Sequence, residues 1–432
     1  MAYHTDPSLR GMCIYSVFVR NYCAEGTFRA LEADLDRIQR LGADAVWLLP
    51  IYPVGVKNRK GQAGSPYAIA DYRAVNPDYG TLGDFRSLVD AMHTRGLKCI
   101  IDIVYNHTSP DSVLAAQHPE WFFHKADGSF GNRIGDWSDV IDLDYRSKAL
   151  WDYQIDTLKF WAGEMQVDGF RCDVAPLIPL AFWQQAREAV EAVRPGCIWI
   201  AESIETSFLA ANRGAGMLSH SDGELYQVFD MCYDYDAHPW FTGALSGKNT
   251  LEAYIEKINQ QETIFPANYI KLRFLENHDQ SRAAFIIPDE KALRNWTAFS
   301  FFQKGAALLY AGQEWRCEKR PSLFEKDPIT RNADRDLSAL IAALAALKKH
   351  PALCRSCCHS DALPNGILRT THSSAVGKLC GVFSTRGLPA LVPLEGIADG
   401  AYVNRIDRET YTVEGGRISC KGDPVILERR NT

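Results

Sequence analysis

Four short segments of this chain concentrate acids, imidazoles and one arginine: "DIVYNH" (Asp102, Asn106, His107), "GFRCD" (Arg171, Asp173), "AES" (Glu202) and "FLENHD" (Asn277, His278, Asp279). Each closes an apolar run that reads as a buried strand, where a carboxylate is costly unless paired. A lone Asp at a strand end is ordinarily a helix cap or an ion-pair partner. Four such ends on one rim ask for a chemical explanation. Several carboxylates, an arginine and no histidine pair at metal-ligand spacing suit glycoside hydrolysis. In that reaction one carboxylate attacks the anomeric carbon and a second, kept protonated, donates to the leaving oxygen. Arg171 would hold the nucleophile ionised by lowering its pKa. Burial or neighbouring negative charge would raise the acid.

The elements that must position these residues alternate along the chain. "MCIYSVFV", "ADAVWLLP", "LKCIIDIVYN", "VDGFRCDV", "CIWIAES", "LYQVFDM", "YIKLRFLEN" and "AALLYAGQE" are eight strand candidates. Amphipathic stretches lie between them; "TFRALEADLDRIQRLG", for example, puts Phe28, Leu31, Leu35, Ile38 and Leu41 on one helical face and ends at Gly42. Near-continuous apolar strands are expected where helices cover a parallel sheet. Eight repeats, with no glycine-rich phosphate loop, predict a (β/α)8 TIM barrel over 1–106 and 146–350 rather than an open doubly wound sheet. Residues 107–145, rich in Trp, Asp and Gly, read as a short inserted loop domain after strand three, a length that usually carries function. From 351 to 432 short β-like pieces separated by Gly and Asp turns predict a small all-β, sandwich-like domain.

The motifs also resemble a known family. "DIVYNH", "GFRCD", "AES" and "FLENHD" are similar to the four signature regions of the alpha-amylase family of glycoside hydrolases, and "SPYAIADY", "GADAVWLLP", "DVIDLDY" and "GAALLYAGQE" resemble further family segments, in the family's order, over roughly residues 10 to 350. The resemblance implies roles position by position. Asp173 would be the nucleophile, Glu202 the general acid/base, and Asp279 the carboxylate that grips sugar hydroxyls and stabilises the transition state. Arg171 would partner the nucleophile, His107 and His278 would bind hydroxyls, and Tyr67 would stack under the reacting ring. Asp71 falls at a structural position, and Asp102 is read as a rim-organising group. The chemistry needs no cofactor, but the family implies a structural Ca²⁺ with Asn106 and Asp142 as ligands. The reading is a retaining α-glucoside hydrolase on α-1,4-linked glucans or maltodextrins. An α-1,6-glucosidase, a glucanotransferase and a non-catalytic carbohydrate-binding scaffold are the alternatives. After Asp173 the chain runs "VAPLIP" without the Lys-His pair common in the family, which leaves linkage and chain-length preference open.

Composition limits the remaining classes. A formal net charge of -6 and the lack of any basic run argue against nucleic acid, and no run of eighteen apolar residues is present to span a membrane. The partner expected is an oligosaccharide or polysaccharide; sequence says nothing about oligomeric state. The start "MAYHTDPSLRGMCIY" shows no signal-peptide pattern. Twelve scattered cysteines, several inside apolar runs, fit free thiols in a reducing cytoplasm. "CRSCCH" (Cys354, Cys357, Cys358, His359) is the one cluster with zinc-like chemistry, and no second pair follows it.

Overall fold

The structure, a computed structural model, describes residues 4–134, 137–375 and 377–430. Gly135 and Asp136 of the "IGDWSD" loop, Val376 and the extreme terminal residues of the predicted domains lie outside the described residues. Eight parallel strands close a barrel: β1 (Cys13–Val17), β2 (Ala45–Leu48), β3 (Lys98–Ile103), β4 (Gly169–Cys172), β5 (Ile198–Ala201), β6 (Met231–Tyr233), β7 (Lys271–Arg273) and β8 (Ala306–Tyr310), each beside its sequence neighbour, with β8 pairing β1. Seven of the eight strands fall on predicted runs. The sixth does not: Leu225, Val228 and Phe229 of "LYQVFDM" recur at helical spacing, belong to a helical turn, and are buried there, and the strand begins only at Met231. The predicted first helix is also two short ones, Phe28–Glu32 and Leu35–Arg40. Asp34 in the break binds Tyr22, Arg37 and Arg331.

Helix Leu180–Val193 shows how the outer layer seals the barrel. Phe182, Trp183, Ala186 and Val190 lie on one face and are buried, and Trp183 meets Trp199 of β5 and Phe229 edge-on at 6.4 and 5.4 Å between ring centroids. Helix Lys148–Lys159 runs on through a π-helical turn, Phe160–Glu164, that presents Trp161 to the core, with its indole N–H donated to Tyr72 O at 2.9 Å. Gly169 opens β4 because a Cβ there would lie 2.5 Å from Ile198 O of the neighbouring strand.

Beyond the barrel, strands β9 (Cys357–Leu363), β10 (Ile367–Ser374), β11 (Gly377–Ser384) and β16 (Val425–Arg430) form one antiparallel sheet. A second sheet is made by β12 (Ala390–Pro393), β15 (Arg417–Cys420), β14 (Thr410–Glu414) and β13 (Gly400–Val403). Phe302 and Phe299 of a barrel helix pack on Phe383 of β11, and Asn295 bonds Ser384 N and Gly422 O. Strand alternation explains why "CRSCCH" gathers no metal. On β9, Cys357 and His359 point outward to solvent while Cys358 turns inward to His372. Among the described residues no group of three or more His, Cys, Asp or Glu is placed to hold a metal ion.

The N-terminal face of the barrel is closed by three aspartates that each precede a strand. Asp44, Asp168 and Asp230 accept the N–H of Cys13, Cys99 and Trp199 at 2.8, 2.8 and 2.9 Å, tying β1 to β2, β3 to β4 and β5 to β6. Each is matched by a base: Asp44 by Lys349, Asp168 by Arg194 and His93, Asp230 by Arg187. Burial alone would raise the Asp168 carboxyl, but the Cys99 N–H, Arg194 and His93 outweigh it and hold it below the usual carboxylate range. A depressed folded value means the contribution exists above the unfolded pKa of about 4 and fades as pH falls through the folded one. Asp168→Asn should therefore lower stability by about 1–3 kcal/mol near neutral pH. In urea melts followed by circular dichroism, the gap to the unsubstituted protein should close as pH drops below about 4; a gap independent of pH would refute the ionic account.

Candidate active site

On β4 Phe170 packs outward against Trp199, ring centroids 5.3 Å apart, so Arg171 faces the barrel axis and Asp173, two residues on, follows it. Arg171 is fully buried. Its Nη1 donates to Asp102 Oδ1 and to Asp173 Oδ1, both at 2.8 Å, and its Nε to the Tyr233 hydroxyl at 3.3 Å. Nη2 forms an ion pair with Glu202 Oε1 at 2.7 Å. The guanidinium carbon lies 5.2, 5.8 and 5.4 Å from the ring centroids of Trp47, Tyr67 and Tyr233. Side chains from β2 through β6 and their ends thus converge on one buried cation.

A second chain of contacts leads from there to Asp279. The Tyr67 hydroxyl donates to Asp102 Oδ2 at 3.3 Å and lies 2.7 Å from His278 Nε2, which is 3.1 Å from Asp279 Oδ2. Tyr67 and His278 stack nearly parallel, ring planes 16° apart, and Trp47 meets His278 edge-on. Asn277 Oδ1 accepts the N–H of Asp279 at 2.9 Å, fixing the turn that presents it. The Asp279 side chain keeps 40% of its surface open, whereas Asp173 and Glu202 keep under a tenth.

Three carboxyls around one guanidinium cannot all ionise cheaply, since the cluster would carry net negative charge out of contact with water. Burial raises Glu202 to about 7, with Asp173 and Asp279 adding to the rise while Arg171 and the Val174 N–H oppose it. Burial likewise lifts Asp173 and Asp102, each to about 6, against the pull of Arg171. The expectation that Arg171 lowers the nucleophile is right in sign for that one interaction, but desolvation outweighs it. Asp279 goes the other way: burial would raise it, yet His278, Arg171 and Arg320 hold it below the ordinary value. Near neutrality the cluster holds one proton most readily, on Glu202, with Asp173 and Asp279 ionised.

Val174, the first residue after Asp173, has φ 34° and ψ 45°. A β-branched residue in the left-handed region is strained, by about 1–3 kcal/mol. The conformation turns its N–H onto Glu202 Oε2 at 2.7 Å, so the departure segment "VAP" holds the acid in place. Sequence spacing gives no sign of this; the Pro176 that follows is its only local hint.

The remaining predicted residues flank this centre. His107 pairs with Asp142 in a two-residue ribbon, His107–Thr108 against Ile141–Asp142, and its ring lies 5.2 Å from Trp137. Burial lowers His107 to about 4, so it is a neutral imidazole. Asp71 sits apart and caps a turn through the Arg73 N–H at 2.9 Å. Asp102, read as a rim organiser, is instead fully buried at the heart of the cluster. Trp121 of the inserted segment stacks on His118 at 3.8 Å between ring centroids. Tyr233, which walls Arg171 with Trp47, ends β6 but lies beyond the run "LYQVFDM", and Trp47 lies inside β2, so neither stands at the end of a predicted strand. Their positions on β6 and β2 were the available signal.

The calcium expectation does not fit these residues. Asp142 Oδ2 accepts the Arg133 N–H at 2.7 Å and faces its guanidinium at 3.7 Å. Asn106 turns its amide nitrogen to His107 Nδ1 at 3.2 Å, and its backbone carbonyl is taken by Leu143 N at 2.9 Å. A Ca²⁺ ion needs six or more oxygens; here only Asp142 Oδ1 is buried without a partner, beside an arginine.

Comparison with known proteins agrees with this geometry. The family model "Alpha amylase, catalytic domain" matches residues 14–126 and 114–364, and "Bacterial Alpha amylase C-terminal domain" matches 359–427. A crystal structure of an alpha-amylase from Lactobacillus plantarum is 46% identical, covers 98% of this chain and 100% of its own, and superposes with a TM-score of 0.94. A noncanonic maltogenic alpha-amylase from Thermotoga neapolitana is 32% identical over 98% of this chain and 100% of its own, TM-score 0.86. Alpha-amylase MalA of Haloarcula japonica is 27% identical over 79% of this chain and 49% of its own length, and the chain spans only about half the length of the curated relatives it matches first. With catalytic-domain and C-terminal matches in sequence and the same barrel in space, the chain belongs to the alpha-amylase family.

Proposed function

We propose that the chain is a retaining α-glucoside hydrolase acting on α-1,4-linked glucans or maltodextrins by double displacement. The observation that carries this reading is the Arg171 guanidinium shared by Asp173 and Glu202, with Nη1 and Nη2 at 2.8 and 2.7 Å from their carboxylates. A single bridging cation favours the short carboxyl spacing of retaining enzymes over the wider gap that admits a water between the two groups. Asp173 attacks the anomeric carbon and the bond to the leaving oxygen breaks as Glu202 delivers its proton there. Glu202, now ionised, is stabilised by the Val174 N–H and Arg171, and takes a proton from the water that releases the sugar from Asp173. Asp279 and neutral His107 hold hydroxyls of the reacting sugar, while Tyr67 faces its ring. Neither step calls for a metal or an organic cofactor. All twelve cysteines are free, which supports work in a reducing compartment on imported maltodextrins or stored glycogen. No described helix is long and apolar enough to cross a membrane.

Asp173→Asn should reduce kcat on maltotriose by at least about a thousandfold. Glu202→Gln should do the same on maltotriose, yet recover the first step on a glucoside whose leaving group needs no proton. Equal turnover by Asp173→Asn would remove it as the nucleophile. Proton NMR of the first product should show the α-anomer, since a β-anomer means inversion.

The pH dependence follows from the cluster. Activity requires Asp173 ionised and Glu202 protonated, so kcat/KM should rise through about 6 and fall through about 7. A flat profile from about pH 5 to 9 would contradict these assignments.

A panel of starch, maltodextrins, isomaltose and cyclodextrin, resolved by chromatography, should show cleavage of maltodextrins and no attack on isomaltose. Oligomers longer than the maltotriose supplied would instead identify a glucanotransferase.

A further inference from the structure

We infer that Arg133 supplies the positive charge at Asp142 that a divalent cation would otherwise provide, and thereby positions His107 in the active site. The second half rests on the reading just proposed; the first half does not.

Asp142 is 2% exposed and stands directly across the ribbon from His107. A carboxylate so placed needs a cation or several donors. Arg133 gives both. Its N–H donates to Oδ2 at 2.7 Å, its Nη1 lies 3.7 Å from the same oxygen, and that Nη1 also donates to Leu143 O at 3.3 Å. The guanidinium is held flat by the Phe123 ring, with its carbon 4.4 Å from the centroid. The 2.7 Å bond comes from the Arg133 backbone N–H, while the guanidinium adds charge beside the carboxylate and ties it to the returning strand at Leu143 O.

The neighbouring carboxylates are engaged as well. Asp144 accepts from Arg146 Nε at 2.9 and 3.0 Å, and Asp139 pairs with Lys60 at 2.8 Å. Asp139, Asp142 and Asp144 thus each face a base, and a divalent ion brought to Asp142 would sit close to a guanidinium, where like charges repel. Burial raises Asp142, and the Arg133 N–H, His107 and the Arg133 charge oppose that rise. Asp142 Oδ1 is a buried acceptor without a protein partner, a need that one water would meet.

The consequence for the site is positional. His107 keeps its place between Asn106 Nδ2, which is 3.2 Å from its Nδ1, and the Trp137 ring, and the second of these supports belongs to the segment that Arg133 pins. Loosening the clamp would displace a hydroxyl-binding group and leave Asp173 and Glu202 where they are.

Three measurements on the full chain test this. Thermal melting of the unsubstituted protein should give the same midpoint in excess EDTA and in millimolar calcium, and elemental analysis of the purified protein should find far less than one calcium per chain. Arg133→Met should lower the midpoint by several degrees in either buffer, and raise KM for maltodextrin several-fold with kcat changed much less. Arg133→Lys, which keeps the charge but loses the fork, should fall between the two and remains informative if the Met variant does not fold. A midpoint that drops in EDTA and returns with calcium, or stoichiometric calcium in the protein, overturns the inference. So does an Arg133→Met variant that melts and binds like the parent. Melting and metal content are read without turnover, so they stand or fall apart from the assigned reaction.

Discussion

A guanidinium with no exposed surface is the charge on which this site is organised. Burying Arg171 costs several kcal/mol in lost hydration unless the barrel returns comparable interactions. It does so from five consecutive strands: Trp47 of β2, Asp102 of β3, Asp173 beyond β4, Glu202 beyond β5 and Tyr233 of β6. The cation then sets the protonation of its neighbours. One positive charge can accompany at most a limited number of buried negative ones, so the surplus proton settles where desolvation is least offset, on Glu202. Glu202 and Asp173 are both buried carboxyls at the ends of adjacent strands, distinguished by which contacts surround them. Asp279 is distinguished by its partner as well, because His278 at 3.1 Å keeps it ionised.

The barrel uses aspartate for opposite purposes at its two ends. At the N-terminal face, Asp44, Asp168 and Asp230 sit one residue before their strands and accept the N–H of the strand before. Each is paid for by hydrogen bonds and a surface base, and none faces the axis. At the C-terminal face Asp173 and Glu202 follow their strands and share a cation instead. The stretch "VDGFRCD" holds one of each kind, five residues apart, on opposite ends of a single four-residue strand. That division between a stabilising base and a reactive rim is a property of the barrel itself.

Position along a strand is also why the site was largely legible in sequence. Apolar runs of the right length fixed seven strands, and reading their last residues found Asp173, Glu202, Asp279, Arg171 and His278, all of which the fold brings into one cluster. Legibility failed where local periodicity and tertiary packing disagree. Leu225, Val228 and Phe229 are apolar enough for a strand, but their spacing belongs to a helical turn. Asp34 breaks a helix that amphipathicity alone would continue, because its carboxylate is wanted by Tyr22 and Arg37. The surroundings of the expected calcium ligands were illegible for a similar reason: a motif can name Asn106 and Asp142, but it cannot show which way an amide turns or that Arg133, nine residues before Asp142, packs against it.

Val174 lies where these lines of argument meet. It opens the segment "VAPLIP", which lacks the Lys-His pair, and a β-branched residue is poorly suited to φ 34°. The surrounding structure nonetheless enforces that angle: the chain turns at once into the short 3-10 segment Ala175–Leu177, with Leu177 N bonded to Val174 O at 3.0 Å and Ile178 N to Ala175 O at 3.3 Å. A relaxed extended residue would carry the N–H away from Glu202 Oε2 and leave the acid restrained by Arg171 alone. That would bind its ionised form through the same cation that serves Asp173, with nothing to orient its second oxygen. The strain at Val174 therefore separates the two carboxyls' supports, giving Glu202 a donor of its own that Asp173 does not share. A segment that sequence leaves unassigned is, in the fold, part of what makes the surroundings of Glu202 and Asp173 distinct.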